Sequence, residues 1–532
     1  MKKIIVSIIG LLGCSALWAQ YPYDPSEFDA LKYSQPDITG TARYMSMGGA
    51  FGALGGDASS IGLNPAGLGV YRSSELSITS GVVHTTTSAD WNGKNGTEDK
   101  YTIPLNNLTY VISYSNNDKE GLVSSNFAFS FNKIKNFDRN VYVKGGQQTS
   151  SLTNYMAGLS SGLSGGTVST NNNSFNNTNV VPWLSILGNE TYLINSGTGS
   201  DTTKWSGTNT GGYVRPTYSL SEEGYINEWS LSYAANISNK LYLGAYLGIL
   251  DLNYDATTRY TEDFATSGNG FTLVNNYHTD GTGINLKVGA IYRPTSSLRL
   301  GLSIATPNFL SLTSRSYASI SSSTDSAASA SISTPKTSSD YEVQGPVQYN
   351  LSAAYTFGKL GLVSVDYGLA DYSGIKLHDN NGNSSSFIAE NQGASNYLKN
   401  VQTLRVGAEF KVDDQFSIRG GYALVTSATK DDALKLLRWN TTTTDPGFLL
   451  DDKTNYYSLG FGYRNSNGWF IDFAYQLKVC KQNYYAYGTT TDSSLSDYNA
   501  SDRYAYATSN LLEPAKITTK NNNFILTLGC KF

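Results

Sequence analysis

Apolar and polar side chains alternate with a period of two along much of this chain. In the segment 468–479, Trp469, Ile471 and Phe473 fall on one face, and Asp472 and Gln476 fall on the other. Period two is the signature of a β-strand, and about ten residues is the length that a tilted strand needs to cross a bilayer. One face excludes every charge and the other accepts charges, which predicts lipid outside and a wet or filled lumen inside.

Fourteen segments carry this alternation, and an even number is typical of a closed bacterial barrel with both termini on one side. We therefore predict an all-β fold, a transmembrane antiparallel β-barrel of about 14 strands. The predicted strands are 75–85, 104–115, 122–133, 226–237, 241–254, 283–293, 297–306, 346–357, 361–372, 402–411, 414–424, 455–465, 468–479 and 522–532.

Short and long connections alternate along the predicted barrel. Short polar links follow every second strand, whereas long polar stretches such as 134–224, 255–282 and 307–345 separate the others. Outer-membrane barrels have short periplasmic turns and long external loops, so both termini are predicted to be periplasmic. The last strand ends at Phe532, and a terminal aromatic residue of this kind resembles the signal that the barrel-insertion machinery reads during assembly in the bacterial outer membrane.

The first twenty residues have the pattern of a secretory signal peptide. Lys2 and Lys3 precede an apolar run that ends in small residues. We predict a signal peptide over 1–19 with cleavage near Ala19, and the alternative is a lipid attached to Cys14. Beyond this segment no apolar run approaches the ~18 residues of a membrane-spanning helix, so a helical inner-membrane protein is excluded.

Charge and reactive residues exclude several classes of function. The formal net charge of −4 becomes roughly −6 once the two signal lysines are removed, so nucleic-acid binding is not expected. Cys480 and Cys530 are predicted at opposite ends of neighbouring strands, too far apart for a disulfide. His84, His278 and His378 stand outside any recognisable motif, so we predict no metal, no cofactor and no enzymatic activity.

Residues 46–70, SMGGAFGALGGDASSIGLNPAGLGV, are rich in small residues and nearly free of charge. A fourteen-stranded barrel has a lumen too wide for its own side chains to fill, so it is either an open channel or holds a plug. We predict that residues 20–72 form an N-terminal hatch inside the lumen and that residues 73–532 form the barrel with its long external loops.

Within this segment, Asp57 is expected to cap a short helix through 58–63, and Pro65 is expected to end that helix. The glycines would allow the segment to pack closely against the barrel wall. A nucleotide-binding glycine loop is the alternative interpretation, but no strand-helix-strand unit surrounds the segment and no acidic residue follows at the expected place.

The string GGDASSIGLNPAGL, followed at once by an amphipathic strand, resembles the hatch of the FadL/TodX family of outer-membrane transporters for hydrophobic compounds. The resemblance implies a fourteen-stranded barrel plugged by an N-terminal segment, with Asn64, Pro65 and Ala66 as the hatch motif. It also implies uptake of long-chain fatty acids or other apolar molecules, which are captured outside, pass a site beside the hatch and leave sideways into the membrane lipid. The chain departs from this pattern in its long Asn/Ser/Thr-rich loops, and its third strand, 122–133, has no proline or evident bulge that would mark a lateral opening.

Two short apolar segments interrupt the otherwise polar loops. One contains Trp183 and Leu184, and the other contains Leu437 and Trp439. Exposed apolar patches on loops usually mark contact surfaces, so these four residues are the candidate contacts for a hydrophobic ligand, although packing of the loops on each other would explain them equally well.

Other functions are compatible with a barrel of this kind. The resemblance extends to barrels that serve as protein-binding partners in type IX secretion, and the long loops would also suit a surface adhesin or a haem receptor. Haem ligation has weak support, because no loop carries a His or Met cluster. A transporter would need a continuous apolar pocket beside the hatch, whereas the lumen of a scaffold could be filled.

Overall fold

The structure is a computed structural model that describes residues 25–116, 120–170, 174–176, 180–198, 202–209, 212–325, 327–433, 441–488 and 513–532. The predicted signal peptide lies outside these residues and stays a prediction. Within the described residues, no helix is both long enough and apolar enough to cross a membrane.

Fourteen antiparallel strands close into a barrel. Each strand pairs with the next one along the chain, and the last strand pairs with the first from Glu75 opposite Lys531 to Asp90 opposite Lys516. This closure confirms the predicted all-β, fourteen-stranded architecture. The barrel strands are β1 Glu75–Trp91, β2 Leu105–Ser115, β3 Leu122–Asn136, β4 Val214–Ile237, β5 Leu241–Phe264, β6 Gly270–Tyr292, β7 Leu298–Ala305, β8 Gln348–Phe357, β9 Gly361–Asp371, β10 Asn400–Lys411, β11 Phe416–Val425, β12 Phe448–Arg464, β13 Trp469–Tyr485 and β14 Ala515–Lys531.

All fourteen predicted segments coincide with barrel strands, but β4, β5 and β6 are far longer than predicted, with 24, 24 and 23 residues. They continue into stretches that the sequence analysis assigned wholly to connections. The alternation persists there: Ala256, Thr258 and Tyr260 on β5 face inward and are buried, while the outward positions between them are polar. A sheet with one buried face and one wet face is stable outside lipid, so these strands extend beyond the membrane.

The outward face of the barrel carries an apolar band. Leu351 and Leu459 are 57% and 66% exposed, although both lie within regular strands. On β13, Trp469 is exposed whereas Asp472 and Gln476 are buried, which confirms the inward and outward faces predicted for this strand. A closed barrel with a broad exposed apolar band is the architecture of an outer-membrane protein, because the hydrocarbon of a bilayer is what covers such a band.

The N-terminal segment, residues 25–72, lies inside the barrel and contacts the wall on several sides. The backbone N–H of Ala42 donates to Thr527 Oγ1 on β14 at 2.8 Å. The backbone N–H of Gly52 donates to Asp366 Oδ2 on β9, also at 2.8 Å. The segment contains three short α-helices and one 3-10 helix: α1 Glu27–Ser34, α2 Ala42–Ser46, α3 Ser60–Leu63 and the 3-10 helix Pro65–Val70.

The long connections and the strand extensions form a cap over the end of the barrel opposite the C-terminus. A large cluster of buried apolar side chains joins this cap to α1. Its α-helices are α4 Leu152–Ser160, α5 Gly165–Val168, α6 Trp183–Glu190 and α7 Ile388–Tyr397, with 3-10 turns at Ser174–Asn176, Tyr372–Gly374 and Ser384–Phe387. The remaining short strands are Lys94–Thr102, Arg139–Lys144, Ile194–Ser196, Trp205–Gly207, Phe309–Thr324, Ala327–Ser333, Thr337–Gln344 and Lys376–Asp379.

The two faces of β10 provide a test of this arrangement. Val406 is exposed on the apolar band, whereas Thr403 on the same strand lines a cavity in the lumen. We expect Val406→Arg to destabilise the barrel by about 2–4 kcal/mol, because a cation near the bilayer midplane is poorly solvated, and Thr403→Arg to cost less. Urea titrations of folding into lipid vesicles measure both values. The opposite order would show that the assigned faces of β10 are reversed.

Candidate functional site

The Asn64-Pro65-Ala66 motif forms a buried turn between α3 and the 3-10 helix. Asn64 is fully buried, and its Nδ2 donates to the carbonyls of Gly52 at 2.7 Å and Ala290 at 3.3 Å. Its Oδ1 accepts from the N–H of Ala66 at 3.1 Å. Pro65 occupies the first position of the 3-10 helix, where its missing N–H is not needed. Asn64 therefore ties the turn both to the rest of the N-terminal segment and to β6.

Asp57 does not cap the helix as predicted. The helix begins later, at Ser60, and its N-cap residue Ser59 makes no side-chain cap. Asp57 Oδ1 instead accepts from the N–H of Ser59 at 3.0 Å, and both of its oxygens accept from Thr41 Oγ1 at 2.8 and 2.9 Å. The carboxylate is therefore held by Thr41, sixteen residues earlier in the chain. A contact over this distance cannot be recognised from a local sequence pattern. Burial raises the pKa of Asp57 to about 6, although the nearby Arg43 guanidinium opposes the shift.

Pro65 does more than end a helix, because the 3-10 helix starts at this residue.

Two wall glycines make room for the turn. Gly244 on β5 and Gly289 on β6 are directly paired neighbours. A Cβ at Gly289 would lie 2.0 Å from Asn64 Oδ1, and a Cβ at Gly244 would lie 2.3 Å from the carbonyl carbon of Pro65. The wall is therefore built without side chains at the point where the motif sits.

A second pair of wall glycines faces another part of the N-terminal segment. Gly407 on β10 pairs directly with Gly421 on β11. A Cβ at Gly407 would lie 2.4 Å from the Met47 carbonyl oxygen, and a Cβ at Gly421 would lie 2.2 Å from the Gly48 nitrogen. The sequence analysis missed these four glycines. Their signal was present, because each one occupies a lumen-facing position within an otherwise regular strand.

Buried charges also join the N-terminal segment to the wall. The Arg43 guanidinium binds both oxygens of Glu409 on β10, at 2.8 and 3.1 Å. Arg419 on β11 binds the same carboxylate at 2.7 Å and also pairs with Asp472 on β13. Breaking one member of such a network would leave a buried charge without its partner, so the network strongly favours one position of α2.

A cavity of about 460 Å³ lies beside the N-terminal segment, between α1 and the wall. Two pairs of charged side chains lie in its lining: Lys32 with Glu222 at 3.3 Å, and Lys478 with Asp37 at 2.5 Å. Tyrosines supply much of the remaining lining, namely Tyr33, Tyr218, Tyr254, Tyr277, Tyr372, Tyr456 and Tyr484. The cavity has the size of a small-molecule site, but its lining is mixed rather than purely apolar, unlike the pocket that the sequence analysis expected of a transporter.

The cavity reaches a seam in the wall between β2 and β3. Pairing of these strands ends at Asn107 opposite Asn132, although β3 continues to Asn136. The cavity lining includes Pro104, just before β2, and Lys133 on β3. In the described part of the chain, no strand pairing joins β3 to Lys94–Thr102, the strand that precedes Pro104.

The expectation that the third strand lacks a bulge is wrong. The register between β3 and β4 shifts twice, once between Leu122 and Ser124 and once between Lys133 and Lys135. The second bulge lies in the ladder between β3 and β4, in the part of β3 that borders the seam with β2. A bulge is a property of two paired strands, so it could not be recognised from the sequence of β3 alone.

The structure describes two of the four candidate ligand contacts in the loops. Trp183 and Leu184 begin α6 and are buried inside the cap, so their side chains pack on other loop residues in this state. Leu437 and Trp439 lie outside the described residues. A role for these four residues in ligand capture stays a prediction.

The other chemically reactive side chains are dispersed. Cys480 and Cys530 are both free thiols, and they pair with Thr519 and Trp469 at opposite ends of their strands, as predicted. Searching the described residues finds no group of three or more His, Cys, Asp or Glu side chains that could hold a metal ion.

The closed barrel and its apolar band are those of an outer-membrane protein, and the N-terminal segment fills part of the lumen. No protein-family model matches the chain, and no curated protein sequence matches it. Among solved structures, a Pseudomonas aeruginosa FadL homologue has a TM-score of 0.52 at 12% identity, covering 93% of this chain and 99% of the other. A deltaS2 mutant of the monoaromatic hydrocarbon channel TodX has a TM-score of 0.50 at 12% identity, covering 93% of this chain and all of the other. The chain therefore has the FadL-type barrel fold that its sequence predicted.

The wall glycines provide a test of how the N-terminal segment is held. We expect Gly289→Ala to displace the Asn64 turn, because the added methyl group would overlap Asn64 Oδ1. Gly420→Ala is the matched control, since a Cβ there would make only ordinary contacts, with Leu459 at 3.8 Å and the Ser458 carbonyl oxygen at 3.9 Å. Limited proteolysis of the purified, folded barrels should cut residues 25–72 faster in Gly289→Ala than in the control. Equal cleavage rates would show that this contact does not hold the segment.

Proposed function

We propose that the protein is an outer-membrane channel for the passive uptake of hydrophobic compounds such as long-chain fatty acids. The observation that carries this proposal is the cavity of about 460 Å³ between the N-terminal segment and the wall, which ends at a seam between two strands. A small-molecule site enclosed within a barrel suits transport better than adhesion, which would use the outer surface of the cap. The monoaromatic hydrocarbon channel TodX shares this fold, which is consistent with the proposal.

In this proposal the N-terminal segment is the hatch, and Asn64, Pro65 and Ala66 control its position. The resting position is held by the three hydrogen bonds of Asn64 and by the contact of Arg43 with Glu409. A ligand opens a path only if it binds the displaced hatch more tightly than the resting one. A differential affinity of a few kcal/mol would shift the population, which is within reach of a ligand that fills the cavity.

The seam between β2 and β3 is the proposed exit into membrane lipid. Ile103 and Leu105 flank it on the outside, where both side chains are exposed. Pro104 cannot donate a backbone hydrogen bond, and the pairing of β2 with β3 ends at Asn107 opposite Asn132. An apolar solute could pass between the strands there without breaking an intact hydrogen-bond ladder.

Replacing Pro65 tests the hatch. Pro65→Ala should leave a folded barrel but lower uptake of a radiolabelled apolar solute severalfold, because the freed backbone no longer holds the start of the 3-10 helix in one conformation. Pro294→Ala, in a short connection between β6 and β7, is the control for the loss of a proline. Uptake is measured in cells that carry equal amounts of heat-modifiable protein. Parent-level uptake by Pro65→Ala would leave the motif with a structural role only.

Closing the seam tests the exit. In a background with Cys480 and Cys530 replaced by Ala, a short bis-maleimide cross-link between Asn106→Cys and Lys133→Cys should stop transport, because it joins the two sides of the seam. The control joins Asn107→Cys and Asn132→Cys, whose native side chains are already hydrogen bonded at 2.7 Å across the paired part of the strands. Unchanged uptake in the cross-linked seam would rule out this exit.

A further inference from the structure

One side of the cavity wall is built from uncharged polar side chains on β13 and β14. Four of them, Gln476, Thr519, Asn521 and Asn523, line the cavity and are called here the amide patch. They lie on adjacent strands in register: Gln476 pairs with Asn523, Lys478 with Asn521, and Cys480 with Thr519. Cross-strand neighbours of this kind stand about 5 Å apart, so the patch forms one continuous surface.

The hydrogen-bonding capacity of the amide patch is only partly used. The Oε1 of Gln476 accepts from Asn523 Nδ2 at 3.4 Å, but its Nε2 has no partner among the described residues. The hydroxyl of Thr519 likewise has no partner there. Gln476 is 1% exposed and Thr519 is 5% exposed. Buried polar groups are normally satisfied, so unpaired ones in the lining of a cavity point to a ligand that supplies the missing hydrogen bonds.

The charge next to the patch is already neutralised. Lys478 lies between Gln476 and Cys480 on β13, and its Nζ pairs with Asp37 of the N-terminal segment. Asp37 also lies in the cavity lining. The cavity lining also contains Lys135, whose Nζ donates to the carbonyls of Lys32 and Gln35 at 2.6 and 2.9 Å. Both lysine ammonium groups therefore already have partners, and a carboxylate placed at the patch would face the Asp37 carboxylate.

We propose that the amide patch binds the head group of the transported compound, and that this head is uncharged and hydrogen bonding, such as a hydroxyl or a carboxamide on an apolar chain. The proposal rests on the transport function proposed above and narrows its substrate class to neutral amphiphiles, so the ionised fatty acids named there as an example are not the preferred compounds. A plain hydrocarbon would desolvate the patch without satisfying it, and a site built on hydrogen bonds discriminates strongly against a ligand that lacks them.

The test compares compounds that share one chain length and differ in the head. Radiolabelled dodecane, dodecanol, dodecanamide and dodecanoate are equilibrated with nanodiscs that contain the protein and with empty nanodiscs, so that partition into lipid is subtracted. We expect dodecanol and dodecanamide to bind at least about 10-fold more tightly than dodecane and dodecanoate, a modest share of what hydrogen-bonding sites achieve. Dodecane or dodecanoate binding as tightly as dodecanamide would overturn the proposal.

Variants then locate the head group. The double variant Gln476→Leu and Asn523→Leu should weaken dodecanamide binding about 10-fold and leave dodecane binding unchanged. The control is Asn522→Leu, because Asn522 is adjacent in sequence but accepts a hydrogen bond from Tyr475 on the outward side of the wall. Thr519→Val is a nearly isosteric second variant that should act in the same direction if the double variant fails to fold. Parent-level dodecanamide binding by Thr519→Val and by a folded double variant would also overturn the proposal.

The outcomes separate this inference from the function on which it rests. Suppose that more dodecane binds to nanodiscs with the protein than to empty nanodiscs, and that it binds as tightly as dodecanamide. The proposed uptake of hydrophobic compounds is then retained, and the proposed head-group site is rejected. If none of the four compounds binds above the empty nanodiscs, both proposals fall.

Discussion

The width of the lumen is the constraint on which the rest of the structure depends. Inward side chains of fourteen strands cannot meet across such a barrel, so their polar groups would face open water unless another part of the chain filled the space. The N-terminal segment fills it, and the wall is adapted to the segment. Paired glycines admit its backbone at Gly244 with Gly289 and at Gly407 with Gly421. The barrel and its contents therefore form one packed unit.

Two kinds of interaction hold the segment, and they differ in how easily they are released. The glycine contacts depend on close packing, which is lost over a small displacement. The Arg43–Glu409 pair is buried and bidentate, so separating it exposes two charges to poor solvation unless something replaces the contact. A ligand that displaces only the Asn64 turn need not break this pair. The arrangement thus suits a partial movement of the segment rather than its release from the barrel.

The cavity, the seam and the amide patch form one polar-to-apolar path in the proposed function. Paired ions and tyrosines line the chamber, neutral amides line one wall, and the exposed side chains of Ile103 and Leu105 flank the seam. The polar head of a compound can hydrogen bond within the chamber, and its apolar chain can contact the seam. The mixed lining, which differs from the apolar pocket expected for a transporter, is therefore informative about what the channel admits.

The sequence by itself determined the fourteen strands and their inward and outward faces, because alternation is local, and the motif at Asn64 was identified from its resemblance to a known family. The wall glycines could have been noticed as small residues at lumen positions, such as Gly289. The length of β4 to β6 could also have been predicted, because the alternation continues beyond the predicted strand ends. Tertiary structure alone decided the bulge in β3, the contact that draws Asp57 away from its helix and the lining of the cavity. Each of these depends on a neighbour far away in the chain, and pairing between distant segments leaves no local periodicity to read.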